Sequence, residues 1–274
     1  MTAKSPFAAS GVLCYLPAHS LPVPSFFKSA RRSSPPLEPV QTEVPQLEDA
    51  QLSAVYYGQR IGGDFYDFVR VGRGRVVFGL LDVAGRYEKT RAIAAVVQQT
   101  FRSETPRLLA SNELNEADAM VELCLLLNRT ILNAEGGGVR PCPALAACYN
   151  EDIGTVCYFN AGHTPGLVRH RDGITELGAT GLPLGLFSHV TCDACTVGVE
   201  PGGALLIVSR GTIEGSHRGE EYGLDRAKQI LQRTGATSAN ELCHAVIDDV
   251  KRFMGTPPTH NDVTALALLR NGLG

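Results

Sequence analysis

Four segments of the sequence place an acidic residue, a glycine or both at the end of an apolar run. They are residues 61–68 (IGGDFYDF), 81–85 (LDVAG), 208–214 (VSRGTIE) and 260–264 (HNDVT). An aspartate at the end of a strand can point into a shared cleft, and hard divalent cations prefer such oxygen ligands. Adjacent glycines let backbone carbonyls and water approach closely. The pattern favours a Mg²⁺ or Mn²⁺ site built from sequence-distant carboxylates, although an aspartate beside a glycine is also typical of a simple turn.

The elements that must position these residues can be predicted from apolar runs and periodicity. Strands are predicted over residues 52–57, 65–69, 75–83, 144–149, 155–160, 166–170, 174–177, 191–199, 204–209 and 263–269. Helices are predicted over residues 90–103, 116–134, 224–233 and 239–253, with Gly136-Gly137-Gly138 ending the second and Ser238 capping the last. Asp172-Gly173 predicts a hairpin turn. Many antiparallel strands with helices in two blocks indicate a layered α+β sandwich, not a βαβ fold.

The first 45 residues differ in composition from the rest of the chain. Half of the 16 prolines lie there. Proline removes backbone donors and disfavours helix in the preceding residue, so residues 1–45 are expected to be extended and weakly ordered. They would serve either as a linker or as a lid on the domain. The folded domain is predicted to span residues 46–274.

Composition excludes several classes of function. The net charge of -3 argues against binding the nucleic-acid backbone. No stretch approaches 18 consecutive apolar residues, so a membrane span is not expected, and the N-terminus lacks the pattern of an export signal. The eight cysteines are too sparse for a disulfide framework, and Cys192-Asp193-Ala194-Cys195 has no second half-site for zinc. We therefore expect a cytoplasmic protein.

Six segments resemble, in the right order, motifs of the SpoIIE- and RsbU-like branch of the PPM-type metal-dependent protein phosphatases. The segments are residues 61–68 (IGGDFYDF), 80–85 (LLDVAG), 159–165 (FNAGHTP), 180–186 (TGLPLGL), 219–224 (GEEYGL) and 261–266 (NDVTAL). The resemblance covers about residues 46–270. Its structural signature positions are Gly62, Gly63, Gly85, Asn160, Gly162, His163 and Gly211.

The resemblance implies a fold and an activity. The fold would be a central antiparallel β-sandwich flanked by helix pairs, in α-β-β-α layers. The activity would be hydrolysis of phosphoserine or phosphothreonine with Mn²⁺ or Mg²⁺, which activates a water for attack on phosphorus. The resemblance makes Asp64 and Asp82 the catalytic residues. Asp82 would bridge two metals, the carbonyl of Val83 and the carboxylate of Asp262 would bind metal, and Asp64 would hold the metal-bound water network.

Arg210 departs from the resembled pattern. The family motif reads Thr-Asp-Gly, with the aspartate as a metal ligand, whereas this chain has Ser209-Arg210-Gly211. A guanidinium that cannot deprotonate removes a ligand and places a positive charge beside the cations. Leu81 and Tyr87 also replace glycines of the second motif. Arg210 is therefore expected to empty one of the two metal positions unless its side chain swings away.

Three interpretations remain open at this point. In the first, the domain is a phosphatase that uses one metal or a shifted second one. In the second, it is a pseudophosphatase in which Arg210 pairs with Asp82 or Asp262 and clamps the phosphate of a partner without turnover. In the third, it is a scaffold. The expected partner is a phosphoprotein similar to an anti-sigma-antagonist, and control would come from a partner, from homodimerisation or from the proline-rich segment.

Four other residues near these motifs have more than one interpretation. We expect His163 to bond backbone groups at a structural corner and not to act as a general acid. Asp67 would either assist the metal site or cap a turn. Glu214 would pair with Arg210 at the surface, and His260 would orient Asp262, as would its neighbour Asn261.

Overall fold

Two five-stranded antiparallel sheets form the centre of the domain. The computed structural model describes residues 39, 43–58, 62–111, 115–134, 140–256, 258 and 261–272. The first sheet has the order β1-β12-β9-β6-β7 and the second the order β2-β3-β4-β5-β8. The strands are β1 (Ala50–Tyr57), β2 (Asp64–Val71), β3 (Arg75–Asp82), β4 (Ala144–Asn150), β5 (Thr155–Ala161), β6 (Gly166–Arg169), β7 (Ile174–Leu177), β8 (Cys195–Gly198), β9 (Ala204–Val208), β10 (Ser216–His217), β11 (Glu220–Glu221) and β12 (Val263–Arg270).

Helices cover the outer face of each sheet. They are α1 (Tyr87–Leu109), α2 (Glu116–Asn133), α3 (Arg210–Ile213), α4 (Leu224–Arg233) and α5 (Ala239–Met254). The pair α1 and α2 packs on the second sheet, and the pair α4 and α5 packs on the first. One apolar core lies between the sheets and one lies beneath each helix pair. The predicted α-β-β-α sandwich is confirmed.

Buried strands explain the near-continuous apolar runs of the sequence. Every residue of β4 and of β9 is buried, because each strand has apolar layers on both faces. The hairpin predicted at Asp172-Gly173 joins β6 and β7, with Arg169 opposite Ile174. The predicted cap of α5 is also confirmed, since the Ser238 hydroxyl accepts a hydrogen bond from the Glu241 amide at 3.1 Å.

Several boundaries differ from the sequence-based prediction. The helix predicted over residues 90–103 runs from Tyr87 to Leu109, and Pro106 lies inside its last turn. The strand predicted over residues 191–199 is only β8 (Cys195–Gly198), since Cys192 instead bridges to Gly181. The short elements α3, β10 and β11 were not predicted.

Two predictions fall outside the described part of the chain. The proline-rich segment predicted over residues 1–45 lies there except for residues 39 and 43–45, and so do the three glycines at 136–138. The segment and the domain boundary at residue 46 stay predictions. In the residues that are described, no helix has the length and apolarity needed to cross a membrane.

Candidate functional site

Three aspartates from distant parts of the sequence line one cavity. Asp64 begins β2 and Asp82 ends β3, and the antiparallel register places them directly opposite each other. Asp262 directly precedes β12, in the other sheet, and the Thr264 hydroxyl of β12 donates to Asp64 Oδ2 at 3.0 Å. The cavity has a volume of about 240 Å³ and lies where the ends of the two sheets meet. The structure thus brings together the carboxylates that the sequence analysis singled out.

Gly63 and Gly211 allow this close approach of strands. A Cβ on Gly63 would lie 1.9 Å from the Val83 carbonyl oxygen, and one on Gly211 would lie 2.1 Å from the Asp262 carbonyl oxygen. Neither position has room for a side chain, because the contacting atoms belong to the backbone. Both signature glycines therefore set the spacing of the cavity wall.

The Asp262 carboxylate ties three elements together. Its Oδ1 accepts hydrogen bonds from the Tyr56 hydroxyl at 2.7 Å and from the Gly62 amide at 3.1 Å. Its Oδ2 accepts one from the Asp64 amide at 3.2 Å. Asp262 consequently positions the glycine loop that leads to Asp64. Its predicted role as a metal ligand stays a prediction.

The cavity carries an excess of negative charge. Burial, and then the charges of Asp82 and Asp262, raise the pKa of Asp64 well above its usual range. Burial also raises the pKa of Asp82, and the Arg210 guanidinium opposes this effect. A bound cation would relieve the repulsion between Asp64 and Asp82.

Arg210 lies at the edge of the cavity and makes two long ionic contacts. Its Nη2 is 3.7 Å from Asp82 Oδ2, and its Nε is 3.8 Å from Glu214 Oε2. Both distances exceed the usual length of an N–H···O hydrogen bond. The side chain is 52% exposed. The predicted surface pair with Glu214 is confirmed, and of the two pairings considered for Arg210 the structure has the one with Asp82.

The backbone at Arg210 is held more firmly than its side chain. The Ser209 hydroxyl donates to the Asp262 carbonyl at 2.9 Å and accepts from the Thr264 amide at 3.0 Å. The Thr212 amide donates to the Ser209 carbonyl at 3.0 Å, which starts α3. These bonds fix where the guanidinium can reach, because they anchor its Cα beside Asp262.

The cavity offers carboxylate oxygens to a divalent cation. The carboxylates of Asp64 and Asp82 are oxygen ligands of the kind that Mg²⁺ uses, together with water. The Val83 backbone packs against Gly63 and is not part of the cavity lining, so its predicted role as a metal ligand stays a prediction. On the other side of Asp82, the guanidinium of Arg210 stands where the family motif has an aspartate. Across the described residues, no three His, Cys, Asp or Glu side chains are arranged so that they could hold a metal ion. Arg210 thus lies 3.7 Å from one oxygen of the Asp82 carboxylate.

The Asn160–His163 stretch forms a structural corner away from the carboxylates. The Asn160 side chain donates to the Leu177 carbonyl at 2.9 Å and accepts from the His163 amide at 2.8 Å. His163 Nδ1 lies 3.0 Å from the Thr164 carbonyl, and Gly162 has a φ of 68°. Burial lowers the pKa of His163 to about 4. The expectation that His163 bonds backbone groups is confirmed.

Asp67 has a role that neither sequence-based alternative described. It is fully buried in β2, and its carboxylate accepts hydrogen bonds from Arg102 Nε at 2.7 Å and Nη2 at 3.3 Å. Arg102 belongs to α1, so the pair fastens the helix to the sheet. Asp67 does not cap a turn, because it lies three positions into the strand and not at its end. The hypothesis that it assists the metal site stays a prediction.

Sequence reasoning missed Arg86 and Tyr56. Arg86 lines the cavity beside Gly85, and Tyr56 holds Asp262. Only Tyr87, the neighbour of Arg86, stood out in the sequence, as a departure from the second motif, and Tyr56 gave no signal because it lies in an ordinary strand pattern. His260 lies outside the described residues. Asn261 donates from its amide to Glu214 at 3.2 Å.

The family model of stage II sporulation protein E (SpoIIE) matches residues 72–271, which is most of the chain. The chain belongs to the SpoIIE family. This match confirms the resemblance to PPM phosphatases of the SpoIIE and RsbU type.

Two curated relatives of this SpoIIE-family chain share low identity with it. Stage II sporulation protein E of Priestia megaterium is 19% identical over 202 residues, which are 71% of this chain and 32% of that protein. Protein IcfG of a Synechocystis strain is 21% identical over 248 residues, 83% of this chain and 39% of that protein. The chain thus spans about a third of the length of the curated relatives it matches.

Solved structures share the fold of this SpoIIE-family domain. The RsbU and RsbW domains of a Mycobacterium tuberculosis protein match with a TM-score of 0.67 and 22% identity, over 86% of this chain and 64% of that one. The SiaA-PP2C domain of Pseudomonas aeruginosa matches with a TM-score of 0.66 and 15% identity, over 80% and 84%. The SpoIIE phosphatase domain of Bacillus subtilis gives 0.60 and 15%, over 82% and 93%. At these identities the likeness establishes the fold alone.

Proposed function

We propose that the chain is a metal-dependent protein phosphatase that hydrolyses phosphoserine or phosphothreonine of a bacterial signalling protein. The observation that carries this proposal is the Asp64–Asp82 pair. The two carboxylates face each other across β2 and β3 in one cavity. Burial raises the pKa of both, and the charge of Asp82 raises the pKa of Asp64 further. Such a pair is costly to bury unless a cation neutralises it.

The residues of this chain divide the work around the cavity. Asp82 and the Val83 carbonyl would hold one Mn²⁺ or Mg²⁺. When bound, the cation lowers the pKa of water and neutralises charge that builds up on the phosphoryl oxygens. The Asp64 carboxylate accepts a hydrogen bond from the Thr264 hydroxyl at 3.0 Å, and this bond holds the carboxylate in place beside the cavity. Asp262 holds the loop that carries Asp64, so it acts as a positioning residue in this proposal.

The proposed substrate is a phosphoprotein similar to an anti-sigma-antagonist. Support comes from relatives, since one structural neighbour contains RsbU and RsbW domains and another, with a TM-score of 0.53, is described as part of the bacterial stressosome. These are signalling systems of other proteins. For this chain we extend only the chemical class, which is a protein that carries a phosphorylated serine or threonine.

A second candidate function is binding of a phosphoprotein without turnover. The Arg210–Asp82 contact of 3.7 Å favours it, because a guanidinium beside Asp82 neutralises part of the charge that would otherwise attract a cation. In this alternative Arg210 acts in place of the metal. The exposed position of the guanidinium keeps it close to any phosphate that enters the cavity.

One assay separates the two candidates. Phosphate release from p-nitrophenyl phosphate and from a serine-phosphorylated protein is measured with Mn²⁺, with Mg²⁺ and with a chelator, for the native chain and for Arg210→Asp. The phosphatase proposal expects release by the native chain that the chelator abolishes. Release by Arg210→Asp alone would refute the proposal and support binding without turnover.

A further inference from the structure

Two arginines line the same cavity as the three aspartates. Arg86 and Arg210 both line it, together with Asp64, Asp82 and Asp262. A dianionic phosphate is repelled by three carboxylates, whereas guanidinium groups bind phosphate through forked, charge-assisted hydrogen bonds. The cavity therefore combines carboxylates suited to a cation with guanidinium groups suited to an anion.

The guanidinium of Arg210 retains donors for a ligand. Its contacts to Asp82 and Glu214, at 3.7 and 3.8 Å, are ionic and longer than hydrogen bonds. Half of the side chain is exposed, while Ser209 and Gly211 fix its backbone. The side chain already lines the cavity.

Arg86 provides a second positive charge from another element. It is the N-cap residue of the 23-residue helix α1, and its side chain is exposed and forms no salt bridge to any residue that the structure describes. Because α1 begins at the cavity wall, the positive end of its dipole adds to the potential there. Arg86 and Arg210 are thus cations of separate elements at one opening.

We propose that Arg86 and Arg210 together bind the phosphate group of the phosphoserine or phosphothreonine in the substrate protein. The choice of a protein substrate rests on the proposed function, but the phosphate-binding role of the two arginines does not require turnover. Arg210 supplies to the phosphate a positive charge that the family motif, with its aspartate, does not.

The test measures binding of a fluorescein-labelled glycine–alanine peptide with one phosphoserine, and of its unphosphorylated counterpart, by fluorescence anisotropy in chelator. The native chain is expected to prefer the phosphopeptide, and inorganic phosphate is expected to compete. Arg210→Gln should weaken phosphopeptide binding roughly 10- to 100-fold, and Arg86→Gln about threefold to tenfold. The control Arg233→Gln removes an equal charge at the end of α4, outside the cavity, and should change affinity less than about twofold.

The outcomes separate this inference from the proposed phosphatase activity. No preference for the phosphopeptide in the native chain, or an equal preference in Arg210→Gln, would overturn the arginine site. If the native chain binds through the arginines but releases no phosphate in the Mn²⁺ assay, only the phosphatase proposal fails. If it releases phosphate and Arg210→Gln leaves KM unchanged, only the arginine proposal fails. Melting curves of Arg210→Gln and Arg86→Gln check that both variants remain folded.

Discussion

Replacing Arg210 by aspartate should increase the affinity of the cavity for Mn²⁺ by about two orders of magnitude. The guanidinium lies 3.7 Å from the Asp82 carboxylate. A cation bound on the far side of that carboxylate would be about 6 Å from the guanidinium, given a metal–oxygen distance of about 2 Å. At about 6 Å, with the dielectric constant of bulk water, two unit charges interact by about 0.7 kcal/mol. The value for water is appropriate because half of the side chain is exposed.

The substitution changes the local charge by two units, and the cation carries two. The substitution therefore changes the interaction between residue 210 and the cation by about four times the value for two unit charges, or about 2.8 kcal/mol. This corresponds to a factor of about 100 in affinity. Titration calorimetry with Mn²⁺ measures this, and Arg233→Asp makes the same charge change at the end of α4 as a matched control. Equal affinity in the native chain and Arg210→Asp would show that Arg210 does not limit cation binding.

Three further predictions concern stability. Gly63→Ala should lower the melting temperature by about 5 °C or more, because its Cβ would lie 1.9 Å from the Val83 carbonyl oxygen. The control Gly198→Ala, which has open space around it, should change the melting temperature little. Equal melting temperatures of the two variants would contradict the close approach at Gly63. Asp67→Asn should lower the free energy of unfolding in urea by about 2 kcal/mol, because it breaks the buried pair with Arg102. The control Asp248→Asn, at an exposed pair, should lower it by under about 1 kcal/mol. Asp67→Asn should leave the affinity for Mn²⁺ unchanged. A loss of affinity would support the hypothesis that Asp67 assists the metal site. Burial lowers the pKa of His163 from 6.5 to about 4 in the folded protein. Between these two pH values the unfolded chain binds a proton at this residue and the folded protein does not. The free energy of unfolding should therefore fall from pH 6.5 toward pH 4 by up to about 3 kcal/mol. His163→Gln should lose that part of the pH dependence, and an unchanged slope would contradict a buried neutral imidazole.

The strand and helix order could be predicted because the core is regular. Runs such as residues 144–149 and 204–209 are apolar throughout, and the helix at Ala239–Met254 has a serine cap and an apolar face. The elements that escaped prediction are short. The helix at Arg210–Ile213 follows Ser209, whose hydroxyl donates to the Asp262 carbonyl, and local sequence does not encode such a long-range contact.

The three carboxylates of the candidate site could be predicted from the sequence, whereas Arg86, Tyr56 and the contacts of the site could not. Asp64, Asp82 and Asp262 stand at strand ends, a position that a linear pattern reveals. The bonds from Tyr56 and Gly62 to the Asp262 carboxylate depend on pairing between β1 and β12, which are more than 200 residues apart in sequence. The same reason explains why the pairing of Asp67 was not predicted, since its partner Arg102 lies on a helix that packs across the sheet.

The central claim is that Asp82 and its neighbours support hydrolysis despite Arg210. The most direct measurement is the rate of phosphate release from a serine-phosphorylated protein with saturating Mn²⁺, compared between the native chain and Asp82→Asn. The native chain should release phosphate, and Asp82→Asn should reduce the rate by at least about 100-fold, because it removes the charged cation ligand. Equal rates in the two chains, or no release by the native chain, would contradict the claim.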